Sequence, residues 1–386
     1  MTILVSGGGS GGHITPILAV AHELKSKRPD CKIVYVGERS GKFQQLTTGD
    51  KSIDEVHTIF AGKFRRYHGE SWLKRLVDLP TNLKNVRDGV YLAIGYLQSR
   101  GLVRRIKPDV IFLKGGYVGL PVGLAAVGRK VPFITHDSDA LPGLSNRLVA
   151  KWAKLHATGM PPEYYSYPPN SVRYTGVLVG DQFKPVNSEL MKQYRQDLNL
   201  PVDGLVLLIT GGSLGAERLN KVVMQAVPRL LAKYSNLTII HQVGQGKTGL
   251  YKDLTDQSRV QELEFMNGME RYMGAADVVV TRAGANTLAE LGVQGKALVV
   301  VPNPLLTAGH QLKNADYLTK NQAVLTVSET ELTSNSDALT AAIEQLLDDP
   351  AKRRQLGKQL QSLTKPNAAS ALADLLIEVA ENKPNV

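Results

Sequence analysis

Apolar residues fall along this chain in short, nearly unbroken runs separated by stretches of helical spacing. In the first half the runs predict strands over Thr2–Ser6, Ile33–Gly37, Val110–Leu113, Pro132–Thr135 and Leu155–Thr158, with helices ending near Lys27, beginning near Val118 and ending near Ala153. Strands without polar alternation, set between helices, are the pattern of a parallel sheet covered on both faces. Pro161, Pro162, Pro168 and Pro169 then break the pattern, and from Leu205 it starts again, with strands over Leu205–Thr210, Leu237–Gln242, Asp277–Thr281, Ala297–Val301 and Ala323–Val327 and helices to Lys233, from Ala285 and from Ala308. The expected class is α/β, with two Rossmann-like parallel-sheet domains. We place the first at 1–165, a linker at 166–184 and the second at 185–365; an amphipathic closing helix, Ala368–Ala380 within 366–386, is expected to return to the first domain.

In such sheets ligands bind at the carboxyl ends of the strands, and here those ends carry glycine and polar residues. The first strand runs into Gly7-Gly8-Gly9-Ser10-Gly11-Gly12-His13, with a helix expected from Thr15 and Pro16. So many glycines let a ligand approach bare backbone, and N–H groups at a helix start, backed by the positive end of the dipole, suit a phosphate. Gly7, Gly9 and Gly12 also spell G-x-G-x-x-G, with Glu38 where a dinucleotide fold would put its ribose acid. The imidazole directly after the glycines, and a second strand, glycine loop and helix at Leu205–Asn220, favour instead a split site whose two glycine loops face each other across a cleft. The second loop, Gly211-Gly212-Ser213-Leu214-Gly215-Ala216, lacks the Lys-Ser/Thr ending of a Walker loop, which argues against ATP hydrolysis and leaves diphosphate binding; its bland counterpart is a tight turn beneath a helix. Further strand ends carry Gly115-Gly116-Tyr117 and His136-Asp137-Ser138-Asp139. In Thr281–Glu290, Asn286 and Glu290 are i,i+4 neighbours, and a carboxylate there accepts both hydroxyls of a ribose, unless it is simply a solvent-facing glutamate. Thr307–Asn314 opens the next helix with side chains suited to a sugar.

Charge is unevenly divided. The net charge is +11, but residues 1–175 hold 25 Lys and Arg against 13 Asp and Glu, whereas 176–386 hold 21 against 22. Eleven basic residues lie between Lys63 and Lys107, opposed by Glu70, Asp78 and Asp88, a field that draws anionic lipid, nucleic acid or a phosphorylated substrate. Ser71-Trp72-Leu73, Leu76, Val77, Leu79 and then Tyr91, Leu92, Ile94, Tyr96 and Leu97 interleave with these cations as an amphipathic surface at a lipid interface would; the alternative is core helices with a solvated basic face. No recognisable nucleic-acid module accompanies them. The lone Cys31, beside an expected buried strand, reads as a reduced structural thiol. With no apolar run of spanning length and a start directly in a strand, the chain is expected to be kept in the cytosol.

Taken together, GGGSGGH with its following proline, GGYVGLP, HDSD-x-LPGLSNR, TGGSLGAERLN, RAGANTLAEL and HQ-x-x-NA resemble, in that order and spacing, the MurG family, over about residues 2–375. That family moves N-acetylglucosamine from UDP-N-acetylglucosamine to a lipid-linked muramyl-pentapeptide in peptidoglycan synthesis and cell-wall biogenesis, a step tied to cell shape and division. The resemblance implies the GT-B architecture, two Rossmann-like domains with a cleft between them, and a peripheral protein at the cytoplasmic face of the cell membrane that needs no cofactor or metal. Carried over by motif, Gly212, Ser213, Leu214 and Gly215 would hold the UDP phosphates, the backbone at Met266 the uracil, and Glu290 the ribose beside Asn286 and Thr287. His310 and Gln311 would take the sugar hydroxyls. Ser10, Gly11, Gly12, Gly115, Gly116, Tyr117, His136, Asp139 and Asn146 would line the acceptor pocket, and His13 would be the general base, or else a residue that only orients its loop. An anionic membrane surface would meet residues 60–107.

The chain departs from the family pattern at three places. His136-Asp137-Ser138-Asp139 stands for His-Glu-Gln-Asn and by letter matches a D-x-D metal motif; Gly176-Val177-Leu178-Val179-Gly180 stands for a Gly-Asn-Pro-Val-Arg turn; Gly309 stands for an aspartate. These keep open a related glycolipid synthase acting on diacylglycerol, and more remotely a non-catalytic partner of a transferase.

Overall fold

The computed structural model describes residues 1–9, 11–39, 44–63, 78–212, 216–305, 309–332 and 336–382. Ser10, Ser213, Leu214, Gly215 and the Ser71–Val77 stretch of the expected membrane surface lie outside them. The chain divides into two compact units, Met1–Gly180 with Pro366–Val386, and Asp181–Lys365.

In the first unit the strands β1 (Thr2–Gly7), β2 (Lys32–Glu38), β3 (Glu55–Ile59), β4 (Val110–Gly115), β5 (Phe133–Asp137), β6 (Leu155–Thr158) and β7 (Val172–Tyr174) form a parallel sheet in the order β3-β2-β1-β4-β5-β6-β7. Its helices are α1 (Gly11–Lys27), α2 (Gln44–Thr48), α3 (Leu79–Ile106), α4 (Gly119–Arg129) and α5 (Leu144–Val149). Alternate residues of a strand point to opposite faces, and here both faces are buried. Ile3, Val5, Val110 and Phe112 pack against α1 and the chain's closing helix, while Leu4, Ile111 and Leu113 pack against α3 and α4. β7 belongs to this sheet, paired with β6 from Val172 to Tyr174, so part of the stretch expected as linker is edge strand.

The helix α1 starts at Gly11, four residues before the expected cap. The Thr15 hydroxyl donates back to the Gly11 carbonyl at 3.2 Å, as a residue inside a helix does, and Pro16 lies buried within the helix, close enough to its start that the missing N–H removes little of the ladder. The outward-pointing N–H groups of the first turn therefore belong to Gly11, Gly12 and His13.

The second unit repeats the plan. Its parallel sheet has the order β10-β9-β8-β11-β12-β13, from β8 (Leu205–Thr210), β9 (Leu237–Gln242), β10 (Val260–Leu263), β11 (Val278–Thr281), β12 (Ala297–Val300) and β13 (Leu325–Thr326). Around it lie α6 (Ser188–Asp197), α7 (Glu217–Lys233), α8 (Met269–Ala275), α9 (Ala285–Val293), α10 (His310–Lys320), α11 (Glu329–Leu332), α12 (Asp337–Asp348) and α13 (Pro350–Leu363). Leu207 and Ile209 face α7 and α12; Val206 and Leu208 face α8, α9 and α10. The chain then ends in α14 (Ala368–Glu381), which packs on α1 through Leu372, Leu376 and Val379. Three buried aliphatic side chains, at about 1.5–3 kcal/mol each, fasten it there, and Lys27–Asp374 and Arg28–Glu381 pair at the rim.

Candidate functional site

In each sheet the strand order reverses once, between β1 and β4 and between β8 and β11. The loops leaving two such neighbours run to opposite faces, and the gap between them at the carboxyl end is where an open α/β sheet takes its ligand. The glycine turns lie at those gaps.

In the first unit the loops after β1 and β4 touch. Gly116 has φ +73°, and a Cβ there would stand 2.4 Å from the Gly8 carbonyl oxygen; Gly9 has φ +93°, and its Cβ would stand 2.6 Å from the Tyr117 ring. Only glycine at both allows this approach. Tyr117 donates its phenol proton to Glu38, so the acid that a dinucleotide fold would keep for ribose is here a clamp on the glycine turn. Tyr35 donates to the Gly7 carbonyl at 2.7 Å from the other side.

His13 stands third in α1. Burial, then the Lys114 charge, push its imidazole down to about 4, with Asp139 opposing, so the ring is neutral at physiological pH rather than poised near it. Its Nδ1 is buried with no hydrogen-bond partner among the described residues.

The loop after β5 is built from inside. His136 is fully buried with its ring 3.0 Å from the Gly176 carbonyl. Asn146, also buried, donates to the His136 carbonyl at 3.0 Å and to Asp137 Oδ1 at 2.9 Å. Asp137 further accepts the Gly143 N–H at 2.9 Å and the Tyr167 hydroxyl at 2.8 Å. His136 and Asn146 thus hold the loop together, apart from the Asn146 amide edge near Gly115, and Asp139 is the partly exposed member of the group. Asp137, the first aspartate of the D-x-D letters, accepts all three of these hydrogen bonds from its own surroundings. Lys114, which the motifs did not mark, stands one residue before the end of β4 with its Nζ 3.0 Å from Ser138 Oγ; the signal was a lysine following an apolar run.

In the second unit Gly212 has φ +84° with no described residue within 4 Å of its Cβ position, and its N–H donates to Thr210 Oγ1 at 3.1 Å. The Thr210 hydroxyl in turn donates to Gln242 at 2.6 Å, tying β8 to β9 beneath the turn. After β11, Arg282 is buried, donating to the Val301 carbonyl at 3.1 Å and to Glu329 at 2.9 Å, which fixes the turn into α9. Asn286, Thr287 and Glu290 lie partly buried along that helix. Burial, with the Glu270 charge adding, pushes the Glu290 carboxyl up to about 7. Met266 buries its side chain in the core cluster that also holds Met273, leaving only backbone for a ligand. Gln311 is buried and accepts the Asn303 N–H at 2.9 Å, so that oxygen serves its own loop; His310 remains at the partly exposed start of α10.

The two halves match the glycosyltransferase family 28 N-terminal domain over residues 3–158 and the family 28 C-terminal domain over residues 206–372. A transferase of Flavobacterium psychrophilum, named as UDP-N-acetylglucosamine--N-acetylmuramyl-(pentapeptide) pyrophosphoryl-undecaprenol N-acetylglucosamine transferase, is 30% identical over 98% of both chains. The chain belongs to the MurG family. The crystal structure of MurG from Acinetobacter baumannii has the same fold, with a TM-score of 0.70 at 24% identity over 98% of this chain and 99% of that one. So does a UDP-GlcNAc 2-epimerase from Neisseria meningitidis, at a TM-score of 0.67 and 15% identity over 98% and 100%; two Rossmann-like parallel-sheet domains alone do not select the reaction.

Against the MurG family pattern, the structure explains two departures. Val177, Leu178 and Val179 are buried, Leu178 within the apolar core of the first unit, where apolar residues suit the position better than the pattern's asparagine and arginine. Gly309 caps α10 at φ +72°, a conformation that favours glycine over aspartate.

Proposed function

We propose that this protein transfers N-acetylglucosamine from UDP-N-acetylglucosamine to the 4-hydroxyl of a lipid-linked N-acetylmuramyl-pentapeptide, inverting the anomeric centre, in the membrane stage of peptidoglycan synthesis. The observation that carries the reading is the end-to-end family match combined with a glycine turn at the strand-order reversal of each sheet. The first unit takes the acceptor diphosphate at Gly11, Gly12, Gly115, Gly116 and Tyr117. The second takes UDP, with Gly212 and its turn at the phosphates, Glu290 on the ribose beside Asn286 and Thr287, the backbone at Met266 on uracil, and His310 with the free end of Gln311 at the sugar. The acceptor oxygen attacks C1 as its proton passes to His13; the bond from C1 to the diphosphate oxygen breaks, and UDP departs with the electron pair, stabilised by the N–H groups at the start of α7. A neutral imidazole is the form that accepts a proton.

The membrane contact rests on α3. Leu83, Val86, Val90, Ile94 and Leu97 are exposed, Leu83 by 70% and Leu97 by 66%, and their spacing puts them on one stripe about 21 Å long. Arg100, Arg104, Arg105 and Lys107 continue the helix end. Apolar residues leading into cations suit an anionic lipid surface, whereas Tyr91, Leu92 and Tyr96 turn inward. Among the described residues no helix is long and apolar enough to cross a membrane.

The test is an assay with purified lipid-linked muramyl-pentapeptide and UDP-N-acetylglucosamine, with diacylglycerol as the competing acceptor. A β-linked disaccharide lipid and one UDP per turnover are expected. Donor binding without transfer to the muramyl lipid, or preferential glycosylation of diacylglycerol, refutes the acceptor. His13→Ala with near-normal turnover refutes His13 as base.

A further inference from the structure

Thr210, Gln242 and Thr281 stand opposite one another at the carboxyl ends of β8, β9 and β11. All three are buried, at 1% exposure or less, and Thr210 and Thr281 each close a strand that is otherwise apolar. The row lies across the strand-order reversal of the second unit. Side chains alternate along β8, so Thr210 follows Val206 and Leu208 on the face covered by α8, α9 and α10, and α9 carries Asn286 and Glu290. Two hydrogen bonds run through the row to the glycine turn: the Gly212 N–H donates to Thr210 Oγ1 at 3.1 Å, and the Thr210 hydroxyl donates to Gln242 Oε1 at 2.6 Å. Across the reversal, Thr281 also bonds the loop that follows its own strand, donating to the Arg282 carbonyl at 3.2 Å.

We propose that Thr210, oriented by Gln242, is a positioning residue of the donor half: it holds the Gly212 N–H from beneath, sets the left-handed bend with which the glycine turn leaves β8, and so presents that turn to the donor diphosphate. Glycine takes φ of either sign with little preference, and no described residue lies within 4 Å of the Gly212 Cβ position to choose one. The bond to Thr210 makes the choice, at φ +84°. One N–H of the turn is thereby committed to the fold, and a turn fixed before its ligand arrives loses less freedom on binding. Valine at 210 would fill nearly the same volume without the hydroxyl, leaving the Gly212 N–H and Gln242 Oε1 without these partners. Gln242 Nε2 is already buried with no partner among the described residues, so the amide's hydrogen bonding here is made through its oxygen. At 1% exposure Thr210 acts through Gly212 and not on a ligand.

The inference rests on the reading of the second unit as the UDP site, and two measurements separate their failures. In the full chain, carrying isotopically labelled glycine, deuterium exchange of the Gly212 amide is followed by NMR, its signal assigned by its loss in Gly212→Ala. UDP and uridine are titrated calorimetrically against the same proteins. The wild-type amide is protected. Thr210→Val speeds its exchange and weakens UDP, each by about tenfold, while uridine affinity holds within about twofold. Thr210→Ser, which keeps the hydroxyl, restores both. An unchanged Gly212 exchange rate in Thr210→Val, an unchanged UDP affinity, or an equal loss of UDP and uridine overturns the proposal. If Thr210→Val fails to fold, Gln242→Leu, which leaves the hydroxyl without its acceptor, must show the same selective loss of UDP or the proposal fails. If instead the wild-type chain binds neither UDP nor uridine, the donor reading falls, while the exchange of the Gly212 amide still decides what Thr210 holds.

Discussion

Replacing Gly116 by alanine tests the contact between the two loops of the first unit. Its φ of +73° places the new side chain in the left-handed region, at about 1–2 kcal/mol. The Cβ would also meet the Gly8 carbonyl oxygen at 2.4 Å, about 0.9 Å inside an ordinary C···O approach, and the obstacle is backbone, which cannot rotate away as a flexible side chain can. Overpacking of this kind adds about 1–3 kcal/mol, so the total is roughly 2–5 kcal/mol, read as a fall of about 5–15 °C in melting of the first unit. The strain is relieved by moving the glycine turn, and a displacement near 1 Å at a positioning loop costs on the order of 100-fold in rate. Calorimetric melting and steady-state kinetics with both substrates form the assay: kcat/KM for the lipid acceptor falls about 100-fold while UDP affinity, read by titration, holds. Gly212→Ala is the counterpart, because its φ of +84° is as unfavourable but no described residue lies within 4 Å of its Cβ position. It should lose only about 1–2 kcal/mol and weaken UDP instead of the acceptor. A Gly116→Ala protein that melts with the wild type and keeps its acceptor kinetics would refute the abutment of the two turns and the assignment built on it.

The Glu290 carboxyl, raised to about 7, should make uridine affinity rise with pH through 7 and then level, measured by calorimetry with uridine to avoid phosphate titration; Glu270→Gln removes a like charge and moves that midpoint down. Between pH 4.5 and about 7 the native state keeps a proton that the unfolded chain has released, so this group makes stability fall as pH rises across that window, and denaturant melts of Glu290→Gln should lack that slope. Arg282→Met leaves the buried Glu329 carboxylate without its 2.9 Å partner and should destabilise the second unit by about 3–5 kcal/mol in urea; Arg282→Met with Glu329→Leu should recover much of the loss, and additivity of the two would contradict a direct pair. Val90→Glu with Leu97→Glu should reduce co-sedimentation with phosphatidylglycerol vesicles by at least tenfold without changing the melt, whereas unchanged sedimentation would exclude the α3 stripe as the lipid surface.

The strands legible in the sequence are those buried on both faces, and the ones missed are at the edges. β1, β4, β8, β9 and β11 have neighbours on each side and helices above and below, so their residues read as unbroken apolar runs. β3 and β7 close the two ends of the first sheet and β10 one end of the second. Their sequences, EVHTI, VRY and VQEL, carry charge because one side of the ladder faces no further strand and burial is partial. β13, the other edge of the second sheet, was legible in Ala323–Val327 but pairs over only Leu325–Thr326. An edge strand has half the burial to write into its sequence, and partner geometry supplies the rest.

The candidate site was legible as loops, and the direction of each side chain was not. His136, Asn146 and Gln311 stand in motifs that mark the rim of a pocket, yet each directs a polar atom inward, to Gly176, to Asp137 and to Asn303. A loop at a strand end leaves its backbone groups outside the sheet ladder, and buried groups of that kind must find partners; short amides and imidazoles at the same strand ends are the nearest donors and acceptors. The residues that build the turn and those that meet a ligand therefore share a composition and a neighbourhood, and only the hydrogen bonds tell them apart.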